Sequence, residues 1–286
     1  MNNKVNLIDI VLFRLYYISM VVEDSTRVKD YLTKTKLQTL DYVINPYVGC
    51  PNKCLYCYAA YMSSFSKHAE EWGEFIDVKR TSKKINLYKI KNKKVMISTV
   101  TDPYNSYEEK YGVTRMLLEQ LVNSEANISI VTKSKLITRD IDLFKQMKSV
   151  EVVLSICLTD EDLKSKLEPC SSSIAERIET LKMLKANGIK TVVFISPIIP
   201  MFTDYRQIIE MTKEYTDEYW FDRLNLRSSF KTKMFNFIKQ EYPLLKNLYS
   251  DIYEKKNLNF FDIIFKKIHT YCEKNQIVYK SFYAGT

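Results

Sequence analysis

Short apolar runs punctuate the chain at Asp41 to Tyr47, VMISTV (95–100), ISIVT (128–132), VVLSICL (152–158), TVVFI (191–195) and Phe221 to Leu226. They are rich in Val and Ile and lack strict polar alternation, which is how strands buried on both faces read. Between them, GVTRMLLEQLVN (112–123) and IAERIETLKMLKANG (174–188) repeat apolar residues at helical spacing, and Gly188 stops the second. Alternation of this kind predicts an α/β fold with a parallel sheet covered by helices, incomplete or full as a barrel. The expectation is a partial (β/α)6 TIM-type barrel whose chemistry lies on the loops after the strand C-terminal ends. Beyond residue 230 the pattern turns helical through KTKMFNFIKQ and 243–275, and a short apolar piece, IVY, follows at 277–279.

With 5 glycines and 7 prolines, no stretch has the composition of a flexible linker. One domain is expected: an N-terminal extension (1–40), the barrel (41–230), and a helical C-terminal cap (231–286) over its open side. Residues 7–22, LIDIVLFRLYYISMVV, are the most apolar run, yet Asp9 and Arg14 interrupt them and they fall short of the ~20 residues of a membrane span. No cleavage site follows a basic segment. A docked helix is expected there, or an extension preceding a true start at Met20, in a cytoplasmic protein with no membrane partner.

Charge adds little. The excess of 43 basic over 34 acidic residues permits a polyanionic partner, but the bases are mostly Lys in an Asn-, Ile- and Tyr-rich chain, a bias that base composition of the genome also produces.

Cysteine spacing adds far more. In NPYVGCPNKCLYCYAAY, Cys50, Cys54 and Cys57 form C-x3-C-x2-C after the first strand. A disulfide leaves an odd thiol and disagrees with a reducing compartment. Structural zinc wants four ligands, and the chain has no second C-x-x-C, with His68 a poor substitute. An iron–sulfur cluster with three protein ligands leaves one iron open to bind and activate a small molecule.

The last pattern, with Tyr56 as the aromatic before the third cysteine, resembles the radical S-adenosylmethionine (SAM) superfamily. Further segments in order, VTDPYNSYEEKYG (100–112), VTKS (131–134), LEP (167–169) and ISPIIP (195–200), resemble its spore photoproduct lyase-like branch. HAEEWGEFIDVK (68–79) and LNLRSSFK (224–231) resemble the subgroup described as radical SAM mobile pair protein B. The resemblance implies a 4Fe-4S cluster on Cys50, Cys54 and Cys57, with SAM chelated to the open iron. Reductive cleavage would yield a 5′-deoxyadenosyl radical that abstracts a substrate hydrogen, with electrons from a flavodoxin- or ferredoxin-type donor.

Carried over position by position, the resemblance places Tyr56 and Tyr58 near the adenine and Thr101 and Asp102 at the methionine amino group. Lys133 falls to the methionine carboxylate, Ser155 to ribose or carboxylate, and Ser196 to the adenosine. Plain structural readings stand beside these: an Asx turn at Asp102, a solvated loop lysine at Lys133, a core hydroxyl at Ser155. Tyr104, Asn225 and Arg227 are substrate candidates, Tyr104 and its neighbours Tyr107 and Tyr111 being also compatible with ordinary packing. The catalytic hydrogen donor is unassigned. Enzymes of the branch use a cysteine on the loop after the second strand, whereas this chain reads STVTDPY with Thr99 nearest that place, and a threonine O–H bond is too strong to replace a thiol. Cys157 or Cys170 would substitute only where the fold brings one to the pocket.

Substrate classes remain open at this point. One reading is a radical enzyme acting on nucleic acid, a second is modification of a peptide or of a partner protein encoded beside it, and a third is a non-catalytic cluster- and SAM-binding sensor.

Overall fold

The computed structural model describes residues 21–37, 39–226 and 228–283. The docked helix expected over 7–22 falls outside these residues except at its end, where Val22 opens a strand. Strands are numbered in chain order: β1 (Val22–Arg27), β2 (Leu32–Lys34), β3 (Tyr42–Ile44), β4 (Tyr47–Val48), β5 (Phe75–Arg80), β6 (Lys94–Ile97), β7 (Asn127–Thr132), β8 (Val150–Ser155), β9 (Lys190–Ile198), β10 (Glu218–Arg223) and β11 (Tyr279–Ser281).

The predicted barrel strands lie side by side in chain order. β3, β6, β7, β8, β9 and β10 run parallel, with β2 antiparallel on the β3 edge and β11 parallel on the β10 edge. Among the described residues β2 and β11 do not pair, so the barrel is open. Their register sets Ile130 beside Val152, Val153 beside Val192 and Ile195 beside Phe221, a line of branched and aromatic residues that are buried or nearly so. A smaller sheet, β1-β5-β4, lies apart from the large one.

Two strands differ from the apolar pattern for local reasons. The run Asp41 to Tyr47 divides at Asn45-Pro46: β3 pairs with β6, whereas β4 turns to pair antiparallel with β5. Proline has no N–H to give a ladder. Asn45 instead spends its amide on Thr99, its Oδ1 accepting the Thr99 and Val100 backbone N–H groups at 2.9 and 3.2 Å. β10 begins at Glu218, three positions before the predicted Phe221, because Tyr219 and Trp220 already pair with Val193 and Phe194. A register shift at Phe221/Arg223 ends it.

Helix boundaries follow their caps. Helix Ile174–Ala186 starts at a reciprocal Ser173/Glu176 capping box, and beyond its end Gly188 takes a left-handed φ of 74°. The C-terminal helices Ser228–Glu241, Lys246–Tyr253 and Asn259–Lys274 bury Met234, Ile238, Tyr249, Ile252, Phe261, Phe265, Ile268 and Cys272 in one cluster with Leu154, Val193, Ile195 and Phe221 of the barrel. A second cluster fills the β3, β6, β7 side, built on Ile44, Ile97, Ile130 and helix Val113–Leu121. The cysteine loop lies at the C-terminal ends of the strands.

Candidate active site

The cysteine loop is built by close contact before any metal is considered. Gly49, just after β4, has φ of 85°, and a Cβ there would stand 2.3 Å from the Phe75 carbonyl oxygen, so only glycine fits. Thr101 Oγ1 donates to the Gly49 carbonyl at 2.6 Å, and Leu55 N–H donates to Leu167 O at 2.9 Å. The loop is thereby tied to the segments after β6 and β8, and Tyr58–Phe65 continues it as a 3-10 helix.

Asp102 organises this junction. Its carboxylate accepts from Asn52 Nδ2 (2.9 Å) in the cysteine loop, from Tyr104 N–H (3.0 Å), from Thr132 Oγ1 (2.6 Å) at the end of β7, and from Lys133 N–H (2.9 Å). The Tyr104 contact is an Asx turn. Four donors satisfy this buried carboxylate, and it pulls three loops to one point.

Behind the cysteines lies a second polar group that the sequence reading did not name. Tyr56 donates to Glu168, which forms a close ion pair with Arg177; both charged side chains are almost fully enclosed. Arg177 also donates to the Ser155 carbonyl at 2.9 Å and to Ser171 Oγ at 2.5 Å, which satisfies the guanidinium inside the core. Burial opposes the Glu168 charge, but Arg177, Lys133 and the Tyr56 hydroxyl outweigh it and lower its carboxyl to about 2. Cys157 Sγ sits 3.4 Å from both Tyr56 Oη and Glu168 Oε1. Glu168 and Arg177 were visible only as the LEP fragment and as a lone arginine in an apolar helix, because their partners are remote in sequence.

Lys133 completes the arrangement. Its Nζ lies over the Tyr56 ring, 5.9 Å from the centroid. Burial disfavours its charge, yet the nearby Glu168 carboxylate and the Cys54 and Cys157 sulfurs hold its pKa above the usual lysine value. Arg177 takes the close contact with Glu168, and the Lys133 ammonium shares that carboxylate at longer range while also feeling Cys54 of the cysteine loop.

Cys50 is buried, and Cys54 and Cys57 are partly so; all three are free thiols. Burial pushes each thiol above its ordinary pKa, Cys50 to about 12 with Asp102 and Cys57 adding to the effect. Among the described residues, no three Cys, His, Asp or Glu side chains converge closely enough to hold a metal ion. Protonated thiols have no reason to converge; metal binding is what deprotonates and gathers them. The donor set nonetheless fits a cluster: three soft sulfur ligands on one eight-residue loop, buried or partly buried and near enough to influence one another's charge, with a lysine beside them.

The other predicted positions divide. Tyr58 donates to the Thr99 carbonyl while its ring stays 56% exposed at the mouth. Ser155 is buried at the C-terminal end of β8, and Ser196 is half-buried within β9, which continues to Ile198 rather than ending at the predicted position. Tyr104 belongs to the other core, its hydroxyl on Asp140 Oδ2 at 2.9 Å, away from the Tyr56 group. Asn225 lies exposed just after β10, and Arg227 lies outside the described residues. Asp222, at the end of β10, was missed; burial raises its carboxyl, and its charge is felt by the Tyr58 hydroxyl. Of the two leftover thiols, the fold brings Cys157 against Tyr56, whereas Cys170 bonds through its backbone to Asn52 O in the cysteine loop. A surface cavity of about 380 Å³ between Lys135–Arg139 and Glu176–Met183 lies on the outer helices and takes no part in this site.

An open parallel barrel, a three-thiol loop at its catalytic face and a matching family model over residues 44–214 define the class: the chain belongs to the radical SAM superfamily. An uncharacterised protein of Methanocaldococcus jannaschii is 40% identical over 221 residues, covering 76% of this chain and 82% of that one. An uncharacterised protein of Acidianus two-tailed virus is 28% identical over 192 residues, covering 62% and 63%. In fold the chain resembles spore photoproduct lyase with bound AdoMet and dinucleoside spore photoproduct (TM-score 0.58, 16% identity, 85% of this chain and 72% of that one). It also resembles Streptococcus suis SuiB bound to S-adenosylmethionine (TM-score 0.55, 18% identity, 84% and 49%). Both likenesses concern the fold, which fits the spore photoproduct lyase-like one. No helix among the described residues is long and apolar enough to cross a membrane.

Proposed function

We propose that this protein is a radical SAM enzyme in which Cys50, Cys54 and Cys57 hold a 4Fe-4S cluster and the substrate is a nucleic acid. The observation that carries the cofactor assignment is the three-thiol loop with the Lys133 ammonium beside it. When bound, the cluster supplies the electron that splits SAM to methionine and a 5′-deoxyadenosyl radical, which takes a hydrogen atom from the substrate.

The chain's own residues account for the rest. Lys133 binds the methionine carboxylate as a point charge. Thr101 offers a hydroxyl oxygen toward the amino group, and Asp102 keeps that loop in place. Tyr56 and Tyr58 wall the adenine side, Tyr56 being fixed by Glu168, and the apolar cluster beneath them excludes water from the radical. Ser155 and Ser196 stand at strand ends within reach of the ribose side. A one-electron donor of flavodoxin or ferredoxin type supplies the reductant.

Nucleic acid is supported by the fold of spore photoproduct lyase, a protein described in complex with a dinucleoside, and by the net charge of +9. The missing thiol at Thr99 distinguishes the cycle from that repair reaction. Anaerobic reconstitution with iron and sulfide, followed by measurement of 5′-deoxyadenosine with dithionite, SAM and DNA or RNA, tests the reading. Formation of 5′-deoxyadenosine eliminates a purely sensory role. Nucleic-acid-dependent stimulation with salt-sensitive binding supports the substrate class, and indifference to every nucleic acid overturns it in favour of a peptide or partner protein.

A further inference from the structure

Trp72 carries a polar atom that the fold leaves unused. Its Nε1–H is buried with no hydrogen-bond partner among the described residues. An orphaned buried donor costs about 1–3 kcal/mol, so one that persists calls for an explanation. The indole is not free to turn away. Its edge packs against the Phe75 ring at 5.8 Å and 89°, and the following Gly73 takes φ of 106°. A Cβ on Gly73 would come 3.0 Å from Lys53 Cγ in the cysteine loop, so the chain turns there only because glycine stands at that position. The outer side of the indole borders a surface cavity of about 320 Å³ that His68, Phe230 and Lys233 also line. On the cysteine-loop side the indole neighbours the 3-10 helix that Cys57 caps, whose Ala60 and Ser63 line the same cavity as Trp72. The other tryptophan is already satisfied, Trp220 Nε1–H donating to Glu218 Oε1 at 2.8 Å.

We propose that Trp72 is a positioning residue that donates its Nε1–H to the Cys57 sulfur once the cluster is bound, and thereby raises the cluster's reduction potential. This rests on the cluster assignment made above. Reduction adds one electron and no proton, and part of the added negative charge falls on the ligating sulfurs. An N–H directed at one of them stabilises the reduced form more than the oxidised form.

The test is an EPR-monitored redox titration of the reconstituted full-length protein and of Trp72→Phe, which keeps the ring and removes the donor. The expected result is a fall of about tenfold in the reduced-to-oxidised ratio at a fixed potential, which for one electron is about 59 mV more negative. An unchanged potential in a variant that loads a normal cluster overturns the proposal and leaves the cluster reading intact. Failure of the wild-type chain to load any cluster defeats both. Should Trp72→Phe alone fail to load, wild-type protein grown with indole-15N tryptophan decides the matter. A 15N hyperfine coupling on the reduced cluster supports the bond, since Trp220 is committed elsewhere, and its absence rejects it.

Discussion

Two buried networks of carboxylates, arginines and tyrosines sit in this barrel, and they are chemically alike. On the β3, β6, β7 side, Glu108 is fully buried and accepts from the Tyr47 hydroxyl, from Thr114 N–H at 2.9 Å and from Arg139 at 2.7 Å. Asp140 takes Arg139 and Arg115 at 2.8 and 2.7 Å, and Tyr104 besides. Its two buried anions meet two arginines in close contact. On the other side, Glu168 meets Arg177 in close contact while Lys133 remains nearby as a second cation. In the first network every buried carboxylate is closed on an arginine, with Asp142 meeting Arg115 at its exposed edge at 2.7 Å. In the second, Lys133 is held at longer range beside the Tyr56 ring, where it would be open to a ligand carboxylate.

That contrast is broken or sharpened by substitution, and the largest effect should come from the thiols themselves. Cys50→Ala is expected to abolish the iron chromophore and all 5′-deoxyadenosine formation, whereas Cys272→Ala, deep among the C-terminal helices, should retain both. Iron retained by Cys50→Ala would refute the ligand assignment. Next come the closed charges. Arg139→Met strands Glu108 and leaves Asp140 to Arg115 alone, and is expected to cost about 3–5 kcal/mol in denaturant unfolding while leaving SAM cleavage per folded molecule unchanged. Loss of turnover in the folded fraction would deny that network a purely structural role.

Lys133→Met should do the reverse. Glu168 keeps its close pair with Arg177 when Lys133 is removed, so unfolding stability is expected to change by less than about 1 kcal/mol, within the range of a loosely held charge. SAM affinity should fall about tenfold, near 1.4 kcal/mol, as read by equilibrium binding. Equal affinity would remove Lys133 from the cofactor site. A smaller effect is expected with acid. Glu168 has its folded pKa lowered to about 2, so its contribution to stability is complete above the unfolded carboxyl range near pH 4 and is lost as pH falls toward 2. Glu168→Gln should flatten that part of the acid-unfolding curve, and an unaltered curve would show that the carboxylate is not held charged in the fold. Asn45→Ala should have the least effect, about 1 kcal/mol, through release of the Thr99 loop.

Much of this molecule was legible from residue order alone. The alternation of apolar strands and amphipathic helices placed six parallel strands in chain order, because a strand buried on both faces cannot afford polar positions and so leaves a continuous run. C-x3-C-x2-C was legible because metal-binding thiols on one short loop need no distant partner to be recognised. Gly188 as a helix stop was equally local.

What only the tertiary structure decided was the set of partners across sequence distance. Tyr56 and Glu168 are 112 positions apart, and Asp102 draws in Asn52 from 50 positions away. Whether Lys133 was a solvated loop residue or a half-buried cation depended on its sharing Glu168 with Arg177. Nothing in VTKS reveals that competition. Likewise Cys157 is an unremarkable thiol in an apolar run until β8 brings it against Tyr56. Periodicity and spacing encode each element's own geometry, but charge balance belongs to the space between elements, and it exists only once the chain has closed around it.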